Sequence, residues 1–259
     1  MTDSSDSIST TEFYDAIASN FDAMTEDELR FIKEKPFFRL VVDRFKIRTA
    51  IDAGCGTGFH CLLLSRLGVE VIAVDVSGEM LRILQQKACS IGKNVRMIQS
   101  AFTNLSTRIT EPVNAIFCLG NTLPHILDDH ELKTTLKEFE SALNSGGLLV
   151  LQLLNYDRIL QTRNEILSIR TAGDTTFTRS YRYLGDRIFF NIASESGRGT
   201  INTINQTTEL RPLTSLQLSE FLTQAGFEDI RLYGGIRLQP FDPALSKDLV
   251  VHARRGERF

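Results

Sequence analysis

No stretch of this 259-residue sequence stays apolar long enough to cross a bilayer. Residues 146–154, "GGLLVLQLL", are among the longest apolar runs, and they fall far short of the roughly 20 residues a spanning helix needs. A basic excess is missing as well. Lys and Arg number 29 against 32 Asp and Glu, for a net charge of −3. That balance offers no broad cationic face to nucleic acid or to an acidic membrane surface. Cysteine is scarce, and Cys55, Cys61, Cys89 and Cys118 stand singly in apolar segments without C-x-x-C spacing. This pattern favours buried free thiols in a reducing cytoplasm, with a disulfide or a zinc site as the alternative. The opening "MTDSSDSISTT" is acidic and hydroxyl-rich, unlike a targeting peptide, and is expected to be a frayed tail. Low-complexity linkers and internal repeats are also absent.

What is present is a strong alternation of helix and strand patterns. Phe13, Ile17, Phe21 and Met24 recur at helical spacing. A second segment, about residues 26–45, contains Pro36, which should kink or split it. Residues 1–46 thus read as a tail and a helical cap. The strand "TAIDA", the helix "FHCLLLSRLG" and the strand "VEVIAVD" come next. The helix "SGEMLRILQQKACSIG" has Ser77 as a candidate N-cap and Gly92 past its end. Strands "NVRMIQS" and "NAIFCLG", a helix near residues 129–143 and the strand "LLVLQLL" complete the series. The acidic run at residues 128–131 reads as a helix N-terminus favoured by the dipole, not as a metal site. Near-continuous apolar strands predict an α/β fold with a doubly wound, Rossmann-like parallel sheet. Between residues 158 and 209 the period changes to two, predicting an antiparallel insertion. Such an insertion acts as a lid or as a dimerisation arm, which makes a homo-oligomer possible. The core is then residues 47–157 and 210–259.

One turn carries the chemistry. Asp52, Gly54, Gly56 and Gly58 form D-x-G-x-G-x-G between the first strand and the first core helix. Glycines there permit positive φ and a close approach of backbone to ligand. Asp75 ends the second strand, where it can accept both hydroxyls of a ribose. A dinucleotide fingerprint would place its third glycine at position 59, which is Phe59.

The loop and its acid resemble the S-adenosylmethionine site of class I methyltransferases. Further blocks, "FYDAIASNFDAM", "CLGNTLPHI" and "GGLLVLQLLNYDRIL", are similar to the glycine and glycine/sarcosine N-methyltransferase branch. The resemblance implies S-adenosylmethionine as cofactor, lined by Tyr14, Ala53 and Gly54, with Asp75 on the ribose. It puts Phe102 against the adenine, and Leu119, Gly120 and His125 along the methionine end. Asp52, Gly56, Val76, Met80 and Ala101 belong to the same expected cofactor set. Asn121 corresponds to a substrate-contacting asparagine, and Asn155 and Tyr156 to the family's N-Y-D ending of the fifth strand.

Two positions depart from that pattern. Ala101 replaces a polar residue that reads adenine, so a backbone carbonyl, Ser100 or water must serve. Leu154 replaces the arginine that clamps the carboxylate of glycine, and a leucine cannot pair a buried charge. Either Arg179, Arg182 or Arg211 takes over, or the acceptor carries no carboxylate there. Catalytic candidates are His125, Asn121 and Tyr156, none of them an obvious strong base. His125 could instead be structural, Tyr14 and Tyr156 simple packing residues, and Arg211 a surface ion pair. The expected function is methyl transfer to a small molecule, at an amine nitrogen or alternatively at oxygen or carbon. A nucleic-acid methyltransferase would carry D/N-P-P-Y/F where this chain has "GNTLP". A binding protein that has lost transfer is the remaining alternative.

Overall fold

The computed structural model describes residues 7–25, 27–196 and 204–256. The expected tail at residues 1–6, the start of the second cap segment at Glu26 and the opening of "TINTINQTTEL" lie outside the described residues. Helix α1 (Thr10–Thr25) buries Phe13, Ile17 and Met24, the stripe its spacing foretells. Helix α2 (Asp27–Phe45) runs through Pro36 without the expected split. Pro36 is exposed, and the carbonyl it cannot bond belongs to Ile32, itself 72% exposed, so water can satisfy it.

The core alternates β1 (Thr49–Ala53), α3 (Phe59–Arg66), β2 (Glu70–Asp75), α4 (Gly78–Ser90) and β3 (Arg96–Gln99). It continues with α5 (Leu105–Arg108), β4 (Val113–Cys118), α6 (Asp129–Ala142) and β5 (Leu143–Leu154). A short helix, α7 (Tyr156–Thr162), leads into strands β6 (Ile166–Ala172), β7 (Thr175–Leu184), β8 (Arg187–Ser196) and β9 (Asn205–Leu210). Then α8 (Ser215–Gln224), β10 (Phe227–Tyr233) and β11 (Asp248–Arg255) return to the core.

The core sheet has the order β3-β2-β1-β4-β5-β11-β10. Strands β1 to β5 are mutually parallel as expected, but β11 is antiparallel to both its neighbours. The cause is the link between β10 and β11, which contains no helix and so cannot make the crossover a parallel pair requires. Each strand feeds both faces of the sheet. Ile116 belongs to the buried cluster that includes Leu136 and Phe139 of α6 and Leu218 and Leu222 of α8, while its neighbour Phe117 joins the opposite cluster with Leu64 of α3 and contacts Phe38 of α2.

Strands β6 to β9 form a separate four-stranded antiparallel sheet. Phe177 and Ile192 of this lid meet Phe13, Ile17 and Met24 of α1, which in turn rest on Met80 of α4. Polar pins fix α1 further. Ser77 donates to Asp15 at 2.5 Å, Thr57 donates to Asp22 at 2.6 Å, and Lys87 pairs with Asp22 at 2.6 Å. Three cysteines are buried and free, whereas Cys89 is exposed because it follows Ala88, the last inward residue of α4.

Ser77 both caps α4, accepting from the Met80 amide at 3.1 Å, and anchors α1. Ser77→Ala should therefore cost about 1–2 kcal/mol, at the upper end of cap losses. Urea unfolding monitored by circular dichroism checks this; an unchanged midpoint would remove the anchor from the account.

Candidate active site

β1 ends between β2 and β4, where the winding of the sheet reverses and a crevice opens at the strand ends. The amides of Gly54 and Cys55 both donate to the Val74 carbonyl, at 2.8 and 3.1 Å, and carry the loop along β2. Gly54 and Gly58 have φ of 74° and 88°. A Cβ on Gly54 would lie 2.4 Å from Thr122, and one on Gly58 would lie 2.1 Å from Leu84. The close neighbours that require these two glycines are thus parts of the chain itself.

Asp75 receives the turned loop. Its Oδ2 accepts from the Gly56 amide at 2.8 Å and its Oδ1 from the Ser77 amide at 2.9 Å. Burial pushes this carboxyl above its ordinary value, against the pull of the Ser77, Gly56 and Val76 amides.

A cavity of about 700 Å³ opens above the strand ends. Gly54, Gly56, Asp75, Val76, Ala101, Phe102, Leu119 and Gly120 form one side of it. Tyr14 of α1, with Arg179, Tyr181, Phe190 and Ile192 of the lid, forms another. His125 and Asn121 lie on the wall between β4 and α6. The Tyr14 hydroxyl and His125 Nε2 are 2.9 Å apart. Burial lowers the imidazole to about 4 and raises the phenol, so both are uncharged near neutrality. Asn121, at φ 66°, is held on both ends of its amide. Its Oδ1 accepts from the Leu154 amide and its Nδ2 donates to the Tyr156 hydroxyl, each at 3.0 Å.

Several expected residues lie off this wall. Asp52 is 1% exposed beneath the loop, its Oδ2 unpaired and its carboxyl raised by burial to about 6. Ala53 is likewise buried, and Met80 is taken up in packing α1. Tyr156 is wholly buried and holds Asn121 from behind. Asn155 is a structural tie: its Nδ2 donates to the Pro243 and Ser246 carbonyls, and its Oδ1 accepts from the Arg158 amide to cap α7. Arg182 sits on the outer face of β7 over Phe189, directly opposite it in register. Arg211 pairs with Asp129 at 2.6 Å and stacks on Phe221. Only Arg179, of the three candidate cations, reaches the cavity, and it donates to the Met24 carbonyl at the end of α1.

Other lining residues escaped the sequence reading, among them Arg30, Glu34, Gln152, Arg170 and Asp248. Arg30 lies over the Phe59 ring at 4.1 Å and pairs with Glu34 at 2.9 Å, next to the glycine loop.

These residues suit S-adenosylmethionine. The loop borders the cavity with Gly54 and Gly56, Asp75 keeps lone pairs for a ribose diol, and His125 Nδ1 is buried without a partner. Tyr14, Asp75, Phe102 and Gly120 would hold the nucleoside, and Arg30, which pairs with Glu34, would offer its cation to the amino acid carboxylate. Asp75→Ala should weaken S-adenosylhomocysteine binding more than about tenfold, the loss expected of charge-assisted hydrogen bonds. An unchanged dissociation constant in calorimetry would exclude the ribose contact.

Comparison with known proteins agrees with this fold. The methyltransferase-domain family matches residues 50–147. A glycine/sarcosine N-methyltransferase of Halorhodospira halochloris is 34% identical over 258 residues, covering 96% of this chain and 90% of the relative. The enzyme of the same name from Aphanothece halophytica is 28% identical over 231 residues, covering 86% and 82%. Among solved structures, an S-adenosylmethionine-dependent methyltransferase from Clostridium acetobutylicum superposes with a TM-score of 0.81 at 18% identity, covering 94% of this chain and 99% of that one. The CcbJ methyltransferase of Streptomyces caelestis gives 0.82 at 23% identity, covering 95% and 99%. At those identities the structures speak for the fold, and the first relative speaks for the family. The chain is an S-adenosylmethionine-dependent methyltransferase of the class I fold and belongs to the glycine/sarcosine N-methyltransferase family.

Proposed function

We propose that this enzyme methylates a nitrogen of a small-molecule amine by in-line displacement. The observation that carries the reading is a cavity shared by the glycine loop, α1 and the lid, in which the Tyr14–His125 pair is uncharged and both ends of the Asn121 amide are engaged. S-adenosylmethionine supplies an already activated methyl group when bound. The chain then has to align the acceptor and keep water out. An amine needs no strong base, only to be present unprotonated. Tyr14 and His125 supply a neutral hydrogen-bonded wall, and Asn121, locked by Leu154 and Tyr156, offers a fixed amide beside it.

The named substrates of the relatives are glycine and sarcosine. This chain takes over the amine but not the carboxylate clamp. Leu154 stands at the clamp position, Arg182 and Arg211 are engaged elsewhere, and Arg179 is bound to the end of α1. The acceptor is therefore an amine that presents no carboxylate at Leu154.

A screen reading S-adenosylhomocysteine release should show turnover of carboxylate-free amines above that of glycine, sarcosine and dimethylglycine. Turnover confined to oxygen or carbon acceptors would overturn the nitrogen assignment. Since His125 titrates near 4, it stays neutral from about pH 6 upward, and kcat/KM should rise with pH as the acceptor amine loses its proton. Changing to an acceptor of lower amine pKa should move that limb downward by the same amount; a limb fixed for all acceptors would locate the titration in the protein.

A further inference from the structure

Asp248 lines the cavity and lies outside the set of residues expected to hold the cofactor. It opens β11 and stands opposite Leu154, the last residue of β5, in antiparallel register. Residues so paired share one face of the sheet, and both line the cavity. The carboxylate is held in orientation. Gln152 Nε2 donates to Asp248 Oδ1 at 3.0 Å, while Gln152 Oε1 accepts from the Gly120 amide at 2.6 Å. The loop after β4 thus fixes where this carboxylate points.

What it lacks is a cation. Among the described residues Asp248 forms no ion pair, and its Oδ2 has no hydrogen-bond partner. Lys247 is adjacent in the chain and exposed. Glu34 of α2 adds a second negative charge to the same wall, but Arg30 and His60 take up that one, at 2.9 and 3.1 Å. Burial and the field of Glu34 raise the Asp248 carboxyl above its ordinary value, against the Gln152 hydrogen bond and the charge of Lys247. A half-buried carboxylate that is oriented but unpaired weakens a fold, and in a cleft it marks a place where a ligand brings the missing charge. The same carboxylate repels an acidic acceptor, so it selects as well as binds.

The geometry points to an acceptor that carries a second, non-reacting cationic group, docked on Asp248 with its carbon chain against Leu154. This rests on the N-methyltransferase reading above and narrows it to the diamine or basic amino-compound class, with simple amino acids disfavoured. The reacting nitrogen is then a different atom from the one that Asp248 holds.

The test uses the full-length enzyme with 1,4-diaminobutane and 4-aminobutanoate, which differ in the charge of the far end. Wild type should prefer the diamine in kcat/KM by at least about tenfold. Asp248→Asn should raise the diamine KM by about tenfold or more while kcat stays within about twofold. Its affinity for S-adenosylhomocysteine, by calorimetry, should be unchanged. The double variant Leu154→Arg/Asp248→Asn should turn the preference toward 4-aminobutanoate. A measurement without any variant is competition: butylammonium should inhibit wild type and butyrate should not. Preference for the carboxylated amine, or an Asp248→Asn enzyme with an unaltered diamine KM, overturns the proposal. Weakened S-adenosylhomocysteine binding in Asp248→Asn also overturns it, since the residue would then serve the cofactor. If no amine is methylated although S-adenosylhomocysteine binds, the nitrogen assignment fails. Calorimetric binding of 1,4-diaminobutane to wild type and to Asp248→Asn then still decides the subsite: a loss in the variant supports it and equal binding overturns it.

Discussion

The site depends on one carboxylate that accepts two backbone amides. Asp75 joins Gly56 of the loop to Ser77 at the start of α4. Through those bonds the end of β2 sets both the curvature of the glycine turn and the first turn of the next helix. Ser77 then passes the constraint outward, because its hydroxyl reaches Asp15 of α1. A buried carboxylate ordinarily costs free energy, and here converging N–H groups offset that cost. Leaving the two amides without their acceptor would be as harmful as losing the acid itself.

Charge is distributed around the cavity with a clear division. The Tyr14–His125 pair is neutral, and Arg30 is balanced by Glu34. Arg170 and Arg179 both donate to the Met24 carbonyl, at 3.0 and 3.1 Å, where the helix dipole of α1 favours cations. Asp75 and Asp248 border it as acids shifted upward by burial, and Asp52, shifted the same way, lies beneath the loop. Such a surrounding favours positively charged ligands over negatively charged ones, which accords with a sulfonium cofactor.

Features written in short windows were legible in the sequence. The glycine turn, the acid after β2, the Ser77 cap and the stripe on α1 each depend on residues within a few positions of one another. The antiparallel lid was legible from period alone, but the side on which Arg179 and Arg182 point was not, since that needs the register of β7 against β8. Asn155 looked like a site residue because it belongs to the N-Y-D ending that resembles the family; its partners Pro243 and Ser246 are remote, and no local pattern announces them. Asp248 was invisible for the same reason, meeting Leu154 only once β11 is laid against β5. Pro36 erred in the other direction, where a strong local rule yielded to solvent on the outer side of α2.

The double attachment of α1 has a kinetic corollary. The helix is bonded to the core through Asp15, Asp22 and Tyr14, and to the lid through Met24, while Thr10, Thr11, Tyr14, Phe21 and Met24 border the chamber. A motion that lifted this one segment would open the chamber along its whole α1 side. Arrival and departure of both reactants would then share one fluctuation, whose frequency would set a ceiling on turnover whatever the speed of the chemical step.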